Sequence, residues 1–297
     1  MVSCLCCAVP TIVVQLITTA IALVYGKRWL LGKRRKAGML HRIVTILLWI
    51  VVSLLALVAV SLVVLQSHAG LRSRAFASFC TYMGLKSSEL DAYRCPLLQE
   101  HIRGNVVEFG PGPGTNFRCL AANATVDGDS EPLYAISSYV TVDPNPNFDA
   151  VRQQEKDRWN LTFPLVSVGL RGEDVDIERG IYHTVIGTHV LCSVDSPMTV
   201  LAAMDRALAP GGRYVFLEHV LADPKEQKVL RWLQDNIFSS LVSVVADGCK
   251  FMDVAALIQA QFGHGDNERY TVEITSLQAP GVPPFMAPHI VGVVTKK

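Results

Sequence analysis

The sequence predicts an α/β fold in which a mostly parallel sheet of seven strands carries helices on both faces, behind an N-terminal membrane helix or helical hairpin. Two observations predict this fold. After residue 100, five short runs rich in β-branched residues alternate with stretches of helical spacing, which is typical of a layered α/β domain. Before residue 70, the run 43–65 contains no charged side chain. The domains are therefore predicted as an anchor over 1–70, a linking helix over 71–99 and a catalytic domain over 100–297.

The first strand ends in a glycine loop. Val106 and Glu108 lead into glycines at alternate positions, Gly110, Gly112 and Gly114. Backbone at such positions can approach a ligand closely, because glycine has no Cβ. A loop of this kind at the carboxyl end of the first strand of an α/β sheet predicts a site for a nucleotide-like cofactor.

The residues around the loop decide which cofactor fits. A dinucleotide fingerprint needs glycine where this chain has Thr115, and a triphosphate loop needs a lysine after Gly114, which is absent. The order acid-x-Gly-x-Gly-x-Gly, beginning at Glu108, resembles instead the first motif of the Rossmann-like S-adenosylmethionine methyltransferases. This resemblance implies that S-adenosyl-L-methionine is the cofactor and that Glu108 and the three glycines help to bind it.

Acidic residues after the second and third strands extend the resemblance. The strand 139–142 ends at Asp143, a position that lies beside the ribose in a doubly wound sheet, although Asp143 also fits as the start of the turn 143–147. A third strand over 165–169 precedes Glu173 and Asp174, and the resemblance implies an acid there for the adenine amino group. The polar insert 121–137 between the first two strands is predicted as a surface loop.

The later elements follow the same alternation. A fourth strand is predicted over 182–187, a helix over 201–208 and a fifth strand over 213–218, with Pro210, Gly211 and Gly212 ending the helix. The order helix, Pro-Gly-Gly, strand is typical of this methyltransferase superfamily. The family's usual ending predicts two last strands, near 270–276 and 289–295, antiparallel to each other.

Several short pieces point to one branch of that superfamily. They occur in this order: Asp143 to Phe148, Gly172 to Asp174, Val190 to Val194, Leu217 to Val220, Asp247 to Cys249, and Pro288 to Ile290. Together they resemble the membrane-associated alkyl-thiol S-methyltransferases over roughly residues 100–297. One departure is His183, where members carry an acid. The resemblance implies methyl transfer to a small lipophilic substrate, most simply a thiol. The alternatives are a lipid, phenol or carboxylate acceptor, and a non-catalytic membrane protein that keeps the cofactor fold.

Methyl transfer from a sulfonium donor needs positioning and a nucleophile more than an acyl-transfer triad. His189 and His219 follow strands at the predicted cofactor end and are candidate bases for a thiol, His189 also being a candidate cofactor contact. For each, a structural histidine bonded to backbone is the alternative. Cys192 and Cys249 are interpreted as small buried residues. No zinc-type spacing or histidine cluster is visible, so no metal is predicted.

Two apolar stretches are predicted as helices around the catalytic core. Residues 71–83 show helical spacing and are predicted to face the core, with a substrate-recruiting helix as the alternative. Residues 225–245 place Leu230, Leu233, Ile237, Leu241 and Val244 on one helical face. In the resembled family this second region helps to wall the acceptor site.

The N-terminal region predicts attachment to a phospholipid membrane. A helix over 43–65 would be about 34 Å long, enough to cross a bilayer, and 1–26 offers a possible second span. Residues 1–70 contain seven basic residues, and no acid occurs before residue 89, so 1–70 carries +7 and the remainder 20 − 26 = −6. A basic stretch between two apolar runs favours lipid headgroups and argues against nucleic acid. The sequence leaves the oligomeric state open.

The side of the membrane depends on the number of spans. The positive-inside rule places the 27–42 stretch in the cytosol, so two spans would put the catalytic domain in the lumen, where the sequons at Asn123 and Asn160 would be glycosylated. One span or a shallow hairpin keeps the domain cytosolic. The preferred interpretation is an integral protein of the endoplasmic reticulum, or of lipid droplets, with its catalytic domain facing the cytosol.

Overall fold

The computed structural model describes residues 39–86, 89–121, 136–263 and 269–297. The chain divides into two compact units, 1–72 and 73–297. This boundary falls close to the predicted end of the anchor. Residues 1–26, most of the basic stretch 27–42 and most of the insert 121–137, with the sequon at Asn123, lie outside the described residues.

The first unit contains a long apolar helix. Helix α1 covers Met39–Ser67, and its part Ile43–Leu65 is long and apolar enough to cross a membrane. Its large apolar side chains are exposed in this unit, for example Trp49, Leu54 and Leu57. A helix that is apolar on all sides and uncovered by protein is suited to a lipid environment.

The second unit contains the predicted seven-stranded sheet, in the order β3-β2-β1-β4-β5-β7-β6. The strands from β3 to β5 run parallel, and β7 is antiparallel to both of its neighbours. Their bounds are β1 Gly104–Phe109, β2 Ile136–Val142, β3 Leu165–Val168, β4 Tyr182–Thr188, β5 Leu208–His219, β6 Tyr270–Gln278 and β7 Pro288–Lys296. The predicted fold class and the antiparallel pair at the end of the chain are confirmed.

Helices cover both faces of this sheet because successive strand residues point to opposite sides. In β1, Val106 packs with the helices Asp91–His101 and Phe117–Ala121, whereas Val107 and Phe109 belong to the cluster that includes the helices Pro197–Ala207 and Val254–Phe262. The remaining helices are α2 Ala69–Gly84, α3 Asp91–His101, α4 Phe117–Ala121, α5 Asp149–Arg158, α6 Pro197–Ala207, α7 Lys228–Leu233, α8 Ser239–Val245 and α9 Val254–Phe262, with a π-helical turn Gln234–Phe238 between α7 and α8.

The structure corrects two helical predictions. The stretch 71–99 contains parts of two helices, α2 and α3, rather than one linking helix. In α2, Phe79 and Met83 are 58% and 52% exposed, so the predicted apolar face does not point to the core, and the buried position is Ala77. Apolar spacing identified the helix correctly but assigned the wrong side to the interior.

The segment 228–245, here called the cover segment, is helical as predicted, but its apolar stripe is not one face. Ile237 and Leu241 are 45% and 39% exposed, whereas Val242 and Val244 are buried. A π turn contains an extra residue, which rotates everything that follows it relative to a regular helix. The buried side is centred on Gln234, whose amide accepts from Ala222 N at 2.7 Å and donates to Phe285 O at 2.8 Å.

Candidate active site

The predicted site residues lie at the edge formed by the carboxyl ends of the parallel strands. Strand β1 ends at Phe109, β2 at Val142, β4 at Thr188 and β5 at His219. The sequence order reverses between β1 and β4, and in open α/β sheets ligands bind at such a switch point. Because β7 is antiparallel, its beginning reaches the same edge, where His289 is the register partner of His219.

The three loop glycines have different functions. All are in the left-handed region, with φ of 63°, 54° and 86° at Gly110, Gly112 and Gly114. A Cβ on Gly110 would lie 2.6 Å from Val190, and one on Gly114 would lie 2.9 Å from Phe117, so these two glycines allow close packing. A Cβ on Gly112 would meet nothing within 4 Å among the described residues. The loop therefore leaves open space above its central glycine.

Asp143 borders that open space. Its carboxylate accepts a hydrogen bond from Gly112 N at 3.1 Å and one from Asn145 N at 2.9 Å, and Arg152 lies 3.5 Å away. Burial raises the pKa of Asp143, while the hydrogen bond from Asn145 and the charge of Arg152 oppose that rise. A carboxylate has about four lone-pair positions, so two bonds leave capacity for a ligand's hydroxyls.

Glu108 does not face a ligand, which corrects its predicted contact with the cofactor. It has no exposed surface, and its two oxygens accept hydrogen bonds of 2.6 Å from Asn116 Nδ2 and Tyr139 OH. Asn116 also donates to Thr188 Oγ1 at 3.1 Å. The buried Glu108 therefore links Asn116, just after the glycine loop, to strand β2, and Asn116 in turn contacts β4.

The two acids after β3 differ from each other. Glu173 accepts hydrogen bonds from Asp195 N at 2.7 Å and Ser196 N at 3.2 Å, and so fixes the turn that precedes α6. The pKa of Glu173 is lowered overall: burial works to raise it, but hydrogen bonds from backbone amides and from Arg171 outweigh the burial. Asp174 is exposed and lies 3.6 Å from Arg171. Both remain predicted adenine contacts, and Asp174 is the one with a free surface.

Three histidines meet where β4, β5 and β7 reach the edge. His189 follows β4 with φ 55°, and its Nε2 lies 3.0 Å from Nε2 of His289. The rings of His189 and His219 stack with centroids 5.8 Å apart. Burial lowers the pKa of His189 well below its usual range and that of His289 to about 4. Both imidazoles are therefore neutral near pH 7, and burial makes each a weaker base than a free histidine.

Two cysteines join His219 in a cluster that the sequence did not reveal. Ligand-type atoms of Cys192, His219 and Cys249 all lie within 4.8 Å of one another, and all three residues are buried. Nε2 of His219 is 3.1 Å from Sγ of Cys249. No metal was predicted because the three residues lie in separate segments, beyond the reach of a spacing motif. The pieces Val190–Val194, Leu217–Val220 and Asp247–Cys249 contained the signal, since the fold brings all three together.

Glu218, which precedes His219 in β5, supports this cluster by binding the turn that follows β4. Its Oε1 accepts hydrogen bonds from Val190 N at 3.0 Å and Leu191 N at 3.2 Å, which sets the turn that carries Cys192. Its Oε2 has no hydrogen-bond partner within the described ranges. Burial raises the pKa of Glu218 to about 8. The carboxyl is thus largely protonated near neutral pH.

Apolar side chains surround the cluster. Val242 and Phe251 are buried against Cys192 and Cys249, and other apolar residues pack around them: Leu221, Phe238, Ala246, Phe285 and Met286. Most of this wall comes from the cover segment and from the turn before β7. A ligand at the cluster would therefore meet polar groups at the sheet edge and an apolar surface elsewhere.

The two parts of the edge are in direct contact. Val190, which packs on Gly110, is two residues from Cys192, and Thr188 binds the loop through Asn116. The open space at Gly112 beside the acid Asp143 fits the methionine and ribose parts of S-adenosylmethionine. The fold and this site define a Rossmann-like, S-adenosylmethionine-dependent methyltransferase.

Comparison with known proteins supports this class. The family described as "Methyltransferase domain" matches residues 78–260. Human thiol S-methyltransferase TMT1B is 30% identical over 195 residues, covering 64% of this chain and 70% of that protein. Human thiol S-methyltransferase TMT1A is 26% identical over 196 residues, covering 65% and 70%. The chain belongs to the methyltransferase domain family and, within it, to the family of the thiol S-methyltransferases.

Solved structures of low sequence identity share the fold. A geranyl diphosphate methyltransferase in complex with SAM has a TM-score of 0.51 at 12% identity, over 70% of this chain and 86% of that one. The geranyl diphosphate C-methyltransferase from Streptomyces coelicolor A3(2), in complex with Mg²⁺, geranyl diphosphate and S-adenosyl-L-homocysteine, has a TM-score of 0.52 at 13% identity, over 70% and 80%. These similarities support the architecture described above.

Proposed function

We propose that this chain is a membrane-bound enzyme that methylates the sulfur of a small lipophilic thiol. The observation that carries the proposal is the contact between the two parts of the edge, in which Val190 packs on the cofactor loop and leads into the polar cluster. A donor and an acceptor held on these two parts would be neighbours. The names of the human relatives support sulfur as the methyl acceptor.

On the donor side, Gly112 and Asp143 would hold S-adenosylmethionine, and Asp174 would meet its adenine. When bound, this cofactor supplies a methyl group already activated by a sulfonium. Asp143 would accept hydrogen bonds from the ribose hydroxyls, and Arg152, 3.5 Å from its carboxylate, would keep it oriented. Such charge-assisted hydrogen bonds are short and strong, so they fix the donor's position.

On the acceptor side, His189 is the better placed of the two candidate bases. Nε2 of each ring has a partner, but that of His219 is Sγ of Cys249 within the cysteine cluster, whereas that of His189 is the neutral imidazole of His289. A neutral His189 can take the proton of an incoming thiol, and the resulting thiolate is strongly nucleophilic. The apolar wall favours an uncharged alkyl or aryl thiol, since a charged acceptor such as glutathione would be costly to desolvate there.

We propose that helix α1 anchors the enzyme in the endoplasmic reticulum membrane, and also on lipid droplets, with its catalytic domain on the cytosolic side. After a carbonate wash or high salt, the full chain should stay with the membrane. Electrostatic binding by the basic stretch alone would be released by salt. Release of the full chain into the wash would contradict the anchor.

One structural observation favours the opposite orientation. Cys95 of α3 and Cys119 of α4 form a disulfide, a bond that persists mainly in oxidising compartments such as the lumen. Asn160, in a sequon, is exposed and lies just after α5. A glycosidase-sensitive mass shift that disappears in Asn160→Gln would establish a luminal domain, whereas an unmodified Asn160 together with protease access from the cytosol would establish the proposed side.

The acceptor is tested with the purified full-length chain in detergent and S-adenosylmethionine labelled in the methyl group. A panel of short alkyl thiols, aryl thiols, glutathione, phenols and fatty acids is offered, and the products are identified by mass spectrometry. We expect methyl thioethers from the lipophilic thiols and much slower turnover of glutathione. Methylation of phenols, lipids or carboxylates without any thiol would replace thiol with that acceptor. Cofactor binding without any methylated product would indicate a non-catalytic protein.

A further inference from the structure

The cluster of Cys192, His219 and Cys249 has the composition of a metal site. Thiolates and imidazoles are the ligands that zinc takes most often in proteins. In a tetrahedral zinc site with the usual bond lengths, neighbouring ligand atoms lie about 3.6–3.8 Å apart. The observed atoms all lie within 4.8 Å of one another, and Nε2 of His219 is 3.1 Å from Sγ of Cys249. Small side-chain rotations would complete the geometry.

The backbone holds each of these side chains in place. His219 ends β5 inside the ladder with β7, and Cys192 is joined to the other cysteine's segment by a hydrogen bond of 2.9 Å from Lys250 N to its carbonyl. Cys249 follows two residues in left-handed conformations, Asp247 with φ 48° and Gly248 with φ 98°. A non-glycine residue in that region is uncommon and occurs often at functional sites.

The charge balance also fits zinc. Two thiolates and a neutral imidazole compensate the charge of one Zn²⁺, so the complex is neutral overall. A neutral complex is what an apolar interior can accept without a large desolvation penalty. The surrounding wall, which includes Val242, Phe251 and Phe238, is of this apolar kind.

We propose that Cys192, His219 and Cys249 bind one zinc ion whose fourth coordination position receives the acceptor thiol. Zinc sites with three protein ligands keep an open position for water or substrate, whereas structural sites are closed by four ligands. A thiol that coordinates a metal ion loses its proton. Because the cluster lies next to Val190 and the cofactor loop, the open coordination position would lie on the acceptor side of the sheet edge.

The coordination of an acceptor thiol by the zinc ion rests on the proposed function. The reaction conserves atoms and charge. The thiol R–SH binds as R–S⁻ and releases one proton, which His189 or water accepts. A lone pair on that sulfur forms a bond to the donor's methyl carbon, and the bond from methyl to the sulfonium sulfur breaks with its electron pair remaining on the donor. The products are the methyl thioether, S-adenosylhomocysteine and the proton. A neutral thioether is a weak zinc ligand and leaves the site.

The test uses the full-length chain purified in detergent under reducing conditions, with metal content measured by mass spectrometry. We expect one zinc per chain, lost in Cys249→Ser and kept in Cys249→His, which restores a zinc ligand. The matched control is Cys80→Ser, because Cys80 is a free cysteine outside the cluster and its loss should leave the zinc in place. After exchange with Co²⁺, adding a short alkyl thiol should change the thiolate-to-cobalt absorption, while its methyl thioether should not.

The outcomes separate the inference from the proposed function. A zinc-free chain that methylates thiols overturns the inference and leaves the function standing. A cobalt spectrum that ignores thiols overturns the coordination of the acceptor. A zinc-loaded chain that binds cofactor but methylates only phenols or carboxylates overturns the proposed function instead.

Discussion

The donor part and the acceptor part of the sheet edge are built in different ways. The centre of the donor part comes from the ends of the first two strands and depends mainly on backbone conformation at Gly112 and on one carboxylate, Asp143. The acceptor part comes from segments near residues 189, 219, 249 and 289 and depends on side chains that meet only in the folded chain. The donor part can thus be recognised as a local motif, whereas the acceptor part requires the topology.

The largest expected effect is on the acceptor part. His189→Gln should lower the rate of thiol methylation by about 100-fold or more, since general bases contribute on that scale. With this base the enzyme can use the neutral thiol, so its rate should depend only weakly on pH. The variant needs thiol that is already ionised, so its rate should rise steeply with pH. His183→Gln is the matched control, because His183 is exposed at the other end of β4. An unchanged pH profile in His189→Gln would remove His189 as the base.

The next effect is on the donor part. Asp143→Asn should weaken S-adenosylmethionine binding by about 1.5–3 kcal/mol, because it removes a charge-assisted acceptor for two hydroxyls. Calorimetry measures the change in the Kd for S-adenosylmethionine. Asn is chosen because the buried Arg152 would lose a partner entirely in an alanine variant. Asp149→Asn removes the other carboxylate that pairs with Arg152, and its cofactor affinity should stay normal. Equal losses in both variants would point to Arg152 instead.

The smallest effect sharpens the interpretation of the glycine loop. Gly112→Ala and Gly180→Ala both place a Cβ in open space at positive φ, 54° and 69°, so each should lose about 1–2 kcal/mol of folding stability. Only Gly112→Ala should also weaken cofactor binding, because its methyl group enters the donor space. Thermal unfolding and calorimetry on the two variants separate strain from binding. Similar cofactor affinities would show that this space is not the donor site.

The sequence predicted most of the fold because strand and turn signals are local. β3, β4, β6 and β7 lie within a few residues of their predicted bounds. Pro210 to Gly212 follow the end of α6, as predicted, but they lie inside β5, which begins at Leu208. Apolar spacing was less reliable for burial. It gave α2 the wrong buried face, and the π turn at Gln234–Phe238 broke the stripe expected for the cover segment.

The site was predictable to the extent that its residues act through backbone position. Asp143 and the three glycines lie where the motif placed them, and the ends of the strands locate His189 and His219. The burial of Glu108 could not be predicted, because its partners Asn116 and Tyr139 come from a turn and a neighbouring strand. The proximity of Cys192 and Cys249 likewise depends on how the loop at 246–250 folds back over β4 and β5.

The most direct test of the account is to measure cofactor affinity and thiol kinetics separately in Asp143→Asn and His189→Gln. The account predicts a crossed result: Asp143→Asn raises the Kd for S-adenosylmethionine with little change in the KM for the thiol, and His189→Gln lowers kcat with the cofactor Kd unchanged. Equal weakening of cofactor binding in both variants would contradict it, because His189 would then belong to the donor site.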